Sequence, residues 1–285
     1  MTHARIADTI IFDLASEDSG APWRIFLYRP PGQPPAQGWP VLYYTDANAV
    51  AGTTADIMRV QAAWPLGTGL DWGVMVGIGY PIDGAYDSVR RSFDLSPPPG
   101  QTYPPFTPDG PDVRTGGADT FLTFIEDVLK PEIARRVAVD PARQALFGHS
   151  FGGLFVLHTL FQRPEAFSCW ISASPAIWWE GAGIVDAAQA FVADPTRRQG
   201  RVLLLVGEYE QKLADFQIGA PDADQRLASF EDSRIVDNTR LMHERLRQKP
   251  GLVSDYVLLP GETHMSVLPA SLNLALRFAF GRTRA

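Results

Sequence analysis

Apolar residues recur along this chain at two alternating periods, and the alternation predicts an architecture. Stretches over 9–14, 24–28, 41–45, 73–78, 144–148, 167–172, 202–206 and 255–259 carry β-type patterns. The first two read as an antiparallel hairpin. By contrast, Val-Met-Val-Gly-Ile at 74–78 and Val-Leu-Leu-Leu-Val at 202–206 are unbroken apolar runs, as parallel strands covered on both faces require. Between them, apolar stripes at helical spacing run over 118–136, 153–162, 184–193, 235–248 and 270–280. Such alternation predicts an α/β protein with a mostly parallel eight-stranded sheet and helices on both faces.

Two segments interrupt the rhythm. Residues 95–117 hold Ser96-Pro97-Pro98-Pro99-Gly100 and Tyr103-Pro104-Pro105-Phe106-Thr107-Pro108, too poor in helix formers for a regular element. Residues 216–233 carry Asp222, Asp224, Glu231 and Asp232 and read as a second irregular stretch. Long loops in compact domains serve as lids or binding walls, so both are candidate covers for a pocket.

Composition narrows the class. A chain of 285 residues, 45% hydrophobic and 20% charged, predicts one globular domain over 1–285. The formal charge of −7, without a Lys/Arg cluster, argues against nucleic acid as a partner. A single cysteine, Cys169, excludes an intrachain disulfide and a Cys-based metal site. Met1-Thr2-His3-Ala4-Arg5-Ile6-Ala7-Asp8 lacks the apolar core of a leader, and no run reaches membrane-spanning length. The expectation is a cytoplasmic protein with no membrane partner, or a periplasmic one if a leader has been removed.

The chemistry is declared at Gln144-Ala145-Leu146-Phe147-Gly148-His149-Ser150-Phe151-Gly152-Gly153. An apolar strand runs into Gly-x-Ser-x-Gly and then directly into a helical pattern, the layout of the nucleophile elbow of an α/β hydrolase. Ser150 is the predicted nucleophile. In this fold the acid and then the histidine follow the nucleophile, each after a later strand. Of five histidines only His264 follows a strand directly, in Leu258-Leu259-Pro260-Gly261-Glu262-Thr263-His264, and it is the predicted general base. The acid is expected after the strand at 202–206, in Gly207-Glu208-Tyr209-Glu210-Gln211-Lys212. Glu210 is favoured there, with Glu208 and then Asp215 as alternatives, and a Ser150–His264 dyad remains open. An oxyanion hole needs one backbone N–H from the residue after the nucleophile, Phe151, and one from the loop after the third strand, Ala47 or Asn48. Asp46 precedes the nucleophile and is read as bracing that turn. The scheme calls for no metal and no cofactor.

Further segments resemble one branch of the α/β hydrolases, the esterase family that includes the trilactone siderophore esterases. Pro40-Val41-Leu42-Tyr43-Tyr44-Thr45-Asp46-Ala47-Asn48-Ala49-Val50 is similar to its oxyanion strand and loop, with Thr45 and Ala47 where Leu and Gly are expected. Ile78-Gly79-Tyr80-Pro81 and Arg91-Ser92-Phe93-Asp94 look like its Ile-Gly-Tyr and Arg-x-aromatic-Asp motifs. Ser174-Pro175-Ala176-Ile177-Trp178-Trp179, Gly207-Glu208-Tyr209-Glu210 and Gly261-Glu262-Thr263-His264 follow in the family's order. The resemblance implies hydrolysis of ester bonds in ferric enterobactin-like or bacillibactin-like trilactones, with Ser150 and His264 catalytic and Arg91 near the substrate. An anionic, aromatic iron–siderophore calls for guanidinium donors and flat faces, so Arg90, Arg91, Trp178 and Trp179 are the candidate substrate contacts. A small-acyl ester (S-formylglutathione, feruloyl or acetyl) and a hydrolase-fold protein that binds without turnover are the alternatives.

Overall fold

The computed structural model describes residues 5–15, 20–196 and 199–282. Met1 to Ala4, on which part of the leader reading and His3 fall, lie outside the described residues. Eight strands form one sheet: β1 (Thr9–Leu14), β2 (Trp23–Tyr28), β3 (Trp39–Tyr44), β4 (Val74–Gly79), β7 (Val139–His149), β8 (Cys169–Ala173), β9 (Gly200–Gly207) and β10 (Leu252–Leu259). Two short strands, β5 (Thr102–Tyr103) and β6 (Val113–Arg114), pair separately as a hairpin. The order across the large sheet is β1-β2-β4-β3-β7-β8-β9-β10, antiparallel at β1–β2 and β2–β4 and parallel from there on. This is the expected α/β-hydrolase sheet, with its entry hairpin at one edge.

Strand alternation divides the core into two layers. Val41 and Tyr43 pack on one side with Phe121, Leu154 and Leu157, while Leu42 and Tyr44 pack on the other with Met58, Leu272 and Leu276. The first layer is roofed by helices Phe151–Gln162, Ile184–Ala193, Ile235–Leu246 and the run from Ala118 to Arg136. That run carries a π-turn over Ile125–Leu129, just where Pro131 has no N–H to give to the helical ladder. Helices Ala47–Ala62 and Val267–Phe280 cover the second layer.

Among the described residues, three helices of seven residues or more depart from the sequence reading. Ala47–Ala62 lies where a loop is expected around Ala47 and Asn48. Its buried stripe, Ala47, Val50, Ala51, Thr54, Ala55, Met58 and Ala62, has helical spacing but is built mostly from small residues that give a weak apolar signal. Ser88–Asp94 is only seven residues long. Ala223–Ser233 occupies the acidic stretch read as irregular; it buries only Ser233 and is sustained by helix formers rather than by an apolar face. Residues 95–117 do form an extended strap, relieved only by the β5–β6 hairpin.

Asp94 closes the helix Ser88–Asp94 and is 7% exposed. Its Oδ2 accepts from Trp23 Nε1 at 2.8 Å and from Tyr80 OH at 3.2 Å, tying that helix to β2 and to the end of β4. Burial pushes its carboxyl up to about 6. A carboxyl with a raised folded-state pKa holds its proton longer in the native than in the unfolded chain, so its contribution to stability falls as pH rises from about 4 to about 6. Asp94→Asn is therefore expected to gain on the wild type across that window, by on the order of 2 kcal/mol at pH 7. Urea unfolding of both proteins at pH 4 and pH 7 checks this; a difference independent of pH contradicts it.

Candidate active site

The turn from β7 into helix Phe151–Gln162 holds Ser150 at φ 59°, ψ −115°, a conformation rare for a residue with a side chain. Two glycines make the turn possible. A Cβ on Gly148 would collide with the Gly152 carbonyl oxygen, and one on Gly152 would collide with Thr45 Oγ1. The Ser150 main chain is pinned by its N–H to the Ala173 carbonyl at 2.9 Å and by its carbonyl to the Leu154 and Ala176 N–H groups. The hydroxyl is thus presented at the carboxyl end of the sheet, where α/β folds place their ligands.

His264, in the turn after β10, brings Nε2 to 3.0 Å from Ser150 Oγ. Its Nδ1 lies 2.6 Å from Glu210 Oε2, which as a carboxylate accepts the Nδ1–H and leaves Nε2 free to accept from the serine. Glu210 lies in the short helical turn after β9 and is wholly buried. Its other oxygen, Oε1, accepts from Ser174 Oγ at 2.5 Å and from Gly207 N at 2.6 Å. Glu208, two residues earlier, points outward to Lys212 Nζ at 2.8 Å and to the Gly261 N–H at 2.9 Å. Asp215 is exposed on a separate turn. Among the three carboxylates named from sequence, Glu210 is the one the fold brings to the histidine.

Ser174 is not singled out by the sequence reading, although a serine at the carboxyl end of the strand beside the nucleophile strand is a usable signal. It is fully buried at φ 45°. Together with the Gly207 N–H it fixes the rotation of the carboxylate so that Oε2 faces the imidazole. Hydrogen bonds to charged groups contribute about 1.5–3 kcal/mol, so Ser174→Ala is expected to lower kcat roughly 10- to 100-fold with KM little changed. Steady-state kinetics on an ester substrate checks this; an unchanged kcat would mean that the Gly207 N–H suffices.

The candidate oxyanion donors converge from two helix starts. Phe151 opens the helix Phe151–Gln162, and Ala47 and Asn48 are the first two residues of Ala47–Ala62, where N–H groups have no partner within their own helix. The Asn48 side chain locks that start to the end of β4: Oδ1 accepts from Tyr80 N at 2.8 Å, and Nδ2 donates to the carbonyls of Tyr80 and Ile82. A Cβ on Gly79 would collide with Asn48 Oδ1, which explains the glycine in Ile78-Gly79-Tyr80.

The four residues named as substrate contacts separate. Arg91 lines the cavity at Ser150, with Nε and Nη2 each 2.8 Å from an oxygen of Asp46. Arg90 is not brought to the cleft. Its guanidinium donates to the carbonyls of Pro22 and Ala21 and lies over the rings of Trp23 and Tyr80, because the helical turn sends adjacent side chains to different faces. Trp179 packs edge-on against Phe151, with centroids 4.7 Å apart, and against Tyr103 of the strap, while Trp178 is 38% exposed. The strap is held there by Glu180, which accepts from Thr115 Oγ1 at 2.6 Å and from Tyr103 OH at 3.3 Å.

The other described histidines have separate settings. His149 is buried with its ring 4.7 Å from that of His264, and burial together with the nearby His264 and Arg91 holds its pKa well below the ordinary range. His158 pairs with Asp119 at 2.6 Å, and His243 meets Ser254 Oγ at 2.9 Å. Cys169 is buried, its thiol pushed up to about 12, which makes it a packing residue rather than a nucleophile.

The cavity bordered by Ser150, His264, His149, Arg91, Tyr86 and Met265 measures about 160 Å³. A larger one, about 880 Å³, lies at the amino ends of the strands against Gln144, Ser168, Cys169 and Gly200, with no histidine among its described lining residues. Chemistry, not volume, selects the smaller. Among the described residues no helix is long and apolar enough to cross a membrane.

Comparison with known proteins gives the family. The chain matches the family described as "Putative esterase" over residues 16–237. It is 37% identical over 280 residues to the ferri-bacillibactin esterase BesA of Bacillus subtilis, covering 96% of this chain and 90% of that protein. It is also 37% identical over 256 residues to the siderophore triacetylfusarinine C esterase of Aspergillus fumigatus, covering 85% and 81%. The crystal structure of the BES protein from Bacillus cereus superposes with a TM-score of 0.84 at 31% identity, covering 99% of both chains. With most of its length matched and its α/β-hydrolase sheet shared, this chain belongs to that esterase family.

Proposed function

We propose that the protein is a serine esterase that hydrolyses the backbone ester bonds of a ferric siderophore, a catecholate trilactone in the first instance. The observation that carries the reading is the unbroken hydrogen-bonded line Ser150–His264–Glu210, in a chain whose relatives at 37% identity are siderophore esterases. Ser150 Oγ attacks the ester carbonyl carbon as His264 Nε2 takes its proton. Glu210 holds the imidazole in the tautomer that can accept that proton and stabilises the imidazolium that forms. The N–H groups of Phe151 and of Ala47 or Asn48 receive the charge that develops on the carbonyl oxygen. His264 then protonates the departing alkoxide, and water repeats the cycle on the acyl-enzyme. Iron enters only as part of the substrate.

The size of the cavity supports a division of the substrate. At about 160 Å³ the cavity beside Ser150 suits one ester and its immediate substituents rather than a whole trilactone. The scissile ester enters; the iron-bearing bulk rests on the rim, where Met265 is 58% exposed.

The test is to incubate wild type and Ser150→Ala with a ferric catecholate trilactone and its iron-free form, followed by chromatography and mass spectrometry. Linear trimer, dimer or monomer from wild type alone supports the proposal. Intact trilactone beside rapid cleavage of simple aryl esters sinks the siderophore assignment and leaves a small-acyl esterase.

A further inference from the structure

We infer that Arg91 is a positioning residue for the oxyanion hole, neutralising Asp46 behind it, rather than the residue that captures an anionic substrate. This rests on the esterase reading and deepens it. The two charges form a two-pronged pair, Nε to Oδ1 and Nη2 to Oδ2 at 2.8 Å each, with side chains 13% and 2% exposed. An arginine whose Nε edge is taken in this fashion has spent its best carboxylate-binding geometry inside the protein.

What the pair holds is the reason to assign it this role. Asp46 sits in the left-handed region, φ 56° and ψ 37°, immediately before Ala47 and Asn48, so the direction of their N–H groups depends on how that residue is fixed. Its Oδ2 lies 3.7 Å from where a Cβ on Gly152 would stand, against the first turn of the helix that begins with Phe151. Asp46 therefore stands at the start of one donor helix, with its carboxylate near the first turn of the other. The Arg91 guanidinium also lies over the Phe151 ring at 5.6 Å and over the Tyr86 ring at 5.5 Å.

The electrostatic consequence is direct. A buried carboxylate this close to both donor segments opposes a negative charge developing between them, and in a poorly solvated site that opposition is strong. Arg91 cancels it in the resting enzyme and in the transition state alike. The cancellation is needed for any ester, whatever charge the rest of the substrate carries.

The experiment compares Arg91→Gln, Arg91→Lys and the double variant Arg91→Gln/Asp46→Asn on two substrates, a neutral aryl acetate and the ferric catecholate trilactone. Arg91→Gln is expected to lose on the order of 100-fold in kcat on both, with KM changed by no more than about threefold. Removing the orphaned carboxylate in the double variant is expected to restore at least about tenfold on both. If Arg91→Gln does not fold, Arg91→Lys carries the test, because it keeps the charge: kcat should then drop by about tenfold or less, equally on both esters. A rise in KM confined to the anionic trilactone, or a double variant no better than Arg91→Gln, overturns the inference. Wild-type failure on the trilactone with normal turnover of the aryl ester would count against the siderophore assignment alone, and the aryl ester would still report on Arg91.

Discussion

Ser150→Ala is expected to lower kcat for ester cleavage by roughly 10⁵- to 10⁶-fold while leaving the fold intact. The hydroxyl is the atom that attacks, and the turn that presents it is held by main-chain bonds and by Gly148 and Gly152, none of which needs the oxygen. Alanine at φ 59° carries a backbone cost similar to that of serine, so circular dichroism and thermal unfolding should match the wild type closely. Residual activity, some ~10³-fold over water, is expected from substrate binding and the oxyanion hole alone. A fluorophosphonate should label the wild type at Ser150 and fail to label the variant. Labelling of another residue, or a folded variant that retains most of its activity, would refute the assignment of the nucleophile.

Glu210→Gln is expected to cost about 10⁴-fold in kcat, whereas Glu208→Gln should change it by no more than a few-fold. The difference follows from the donors around the buried carboxylate. Ser174 Oγ–H and Gly207 N–H both donate to one oxygen, so in the Glu210→Gln variant the amide carbonyl oxygen takes that place and the NH₂ is turned toward His264. An NH₂ facing Nδ1 forces the imidazole into the tautomer with its proton on Nε2, where it can no longer accept from Ser150. Glu208 forms a surface pair with Lys212 and a bond to the Gly261 N–H, contacts of little consequence for the serine. Measuring kcat for both variants against wild type decides between them; equal losses would point to a shared role in holding the turn before His264 rather than to a triad acid.

Much of this molecule is legible along the chain. Each of the eight long strands overlaps the apolar pattern that predicts it, and the mostly parallel pairing agrees with the helical patterns read between the later strands. The largest extension is in β7, which begins at Val139. There Pro141 sits within an irregularity, the pairing with β3 passing from Trp39↔Val139 to Val41↔Gln144, so the apolar pattern fails before the strand does. Helices escape the pattern where burial uses alanine and threonine, as in Ala47–Ala62, or uses almost nothing, as in Ala223–Ser233.

The sequence by itself determined the succession of strands, the elbow and the candidate nucleophile with its histidine, because these depend on local pattern and on position relative to a strand end. Only the tertiary structure decided which way individual polar side chains turn. Glu210 rather than Glu208 faces the imidazole because Ser174, at the end of the neighbouring strand, and Gly207 together orient it. Arg91 meets Asp46 across 45 residues, while its neighbour Arg90 is drawn off to the carbonyls of Ala21 and Pro22. Apolar periodicity records which face of an element is buried; it holds no record of which buried donor, distant in the chain, will meet a given charge, and that pairing is what shapes the site.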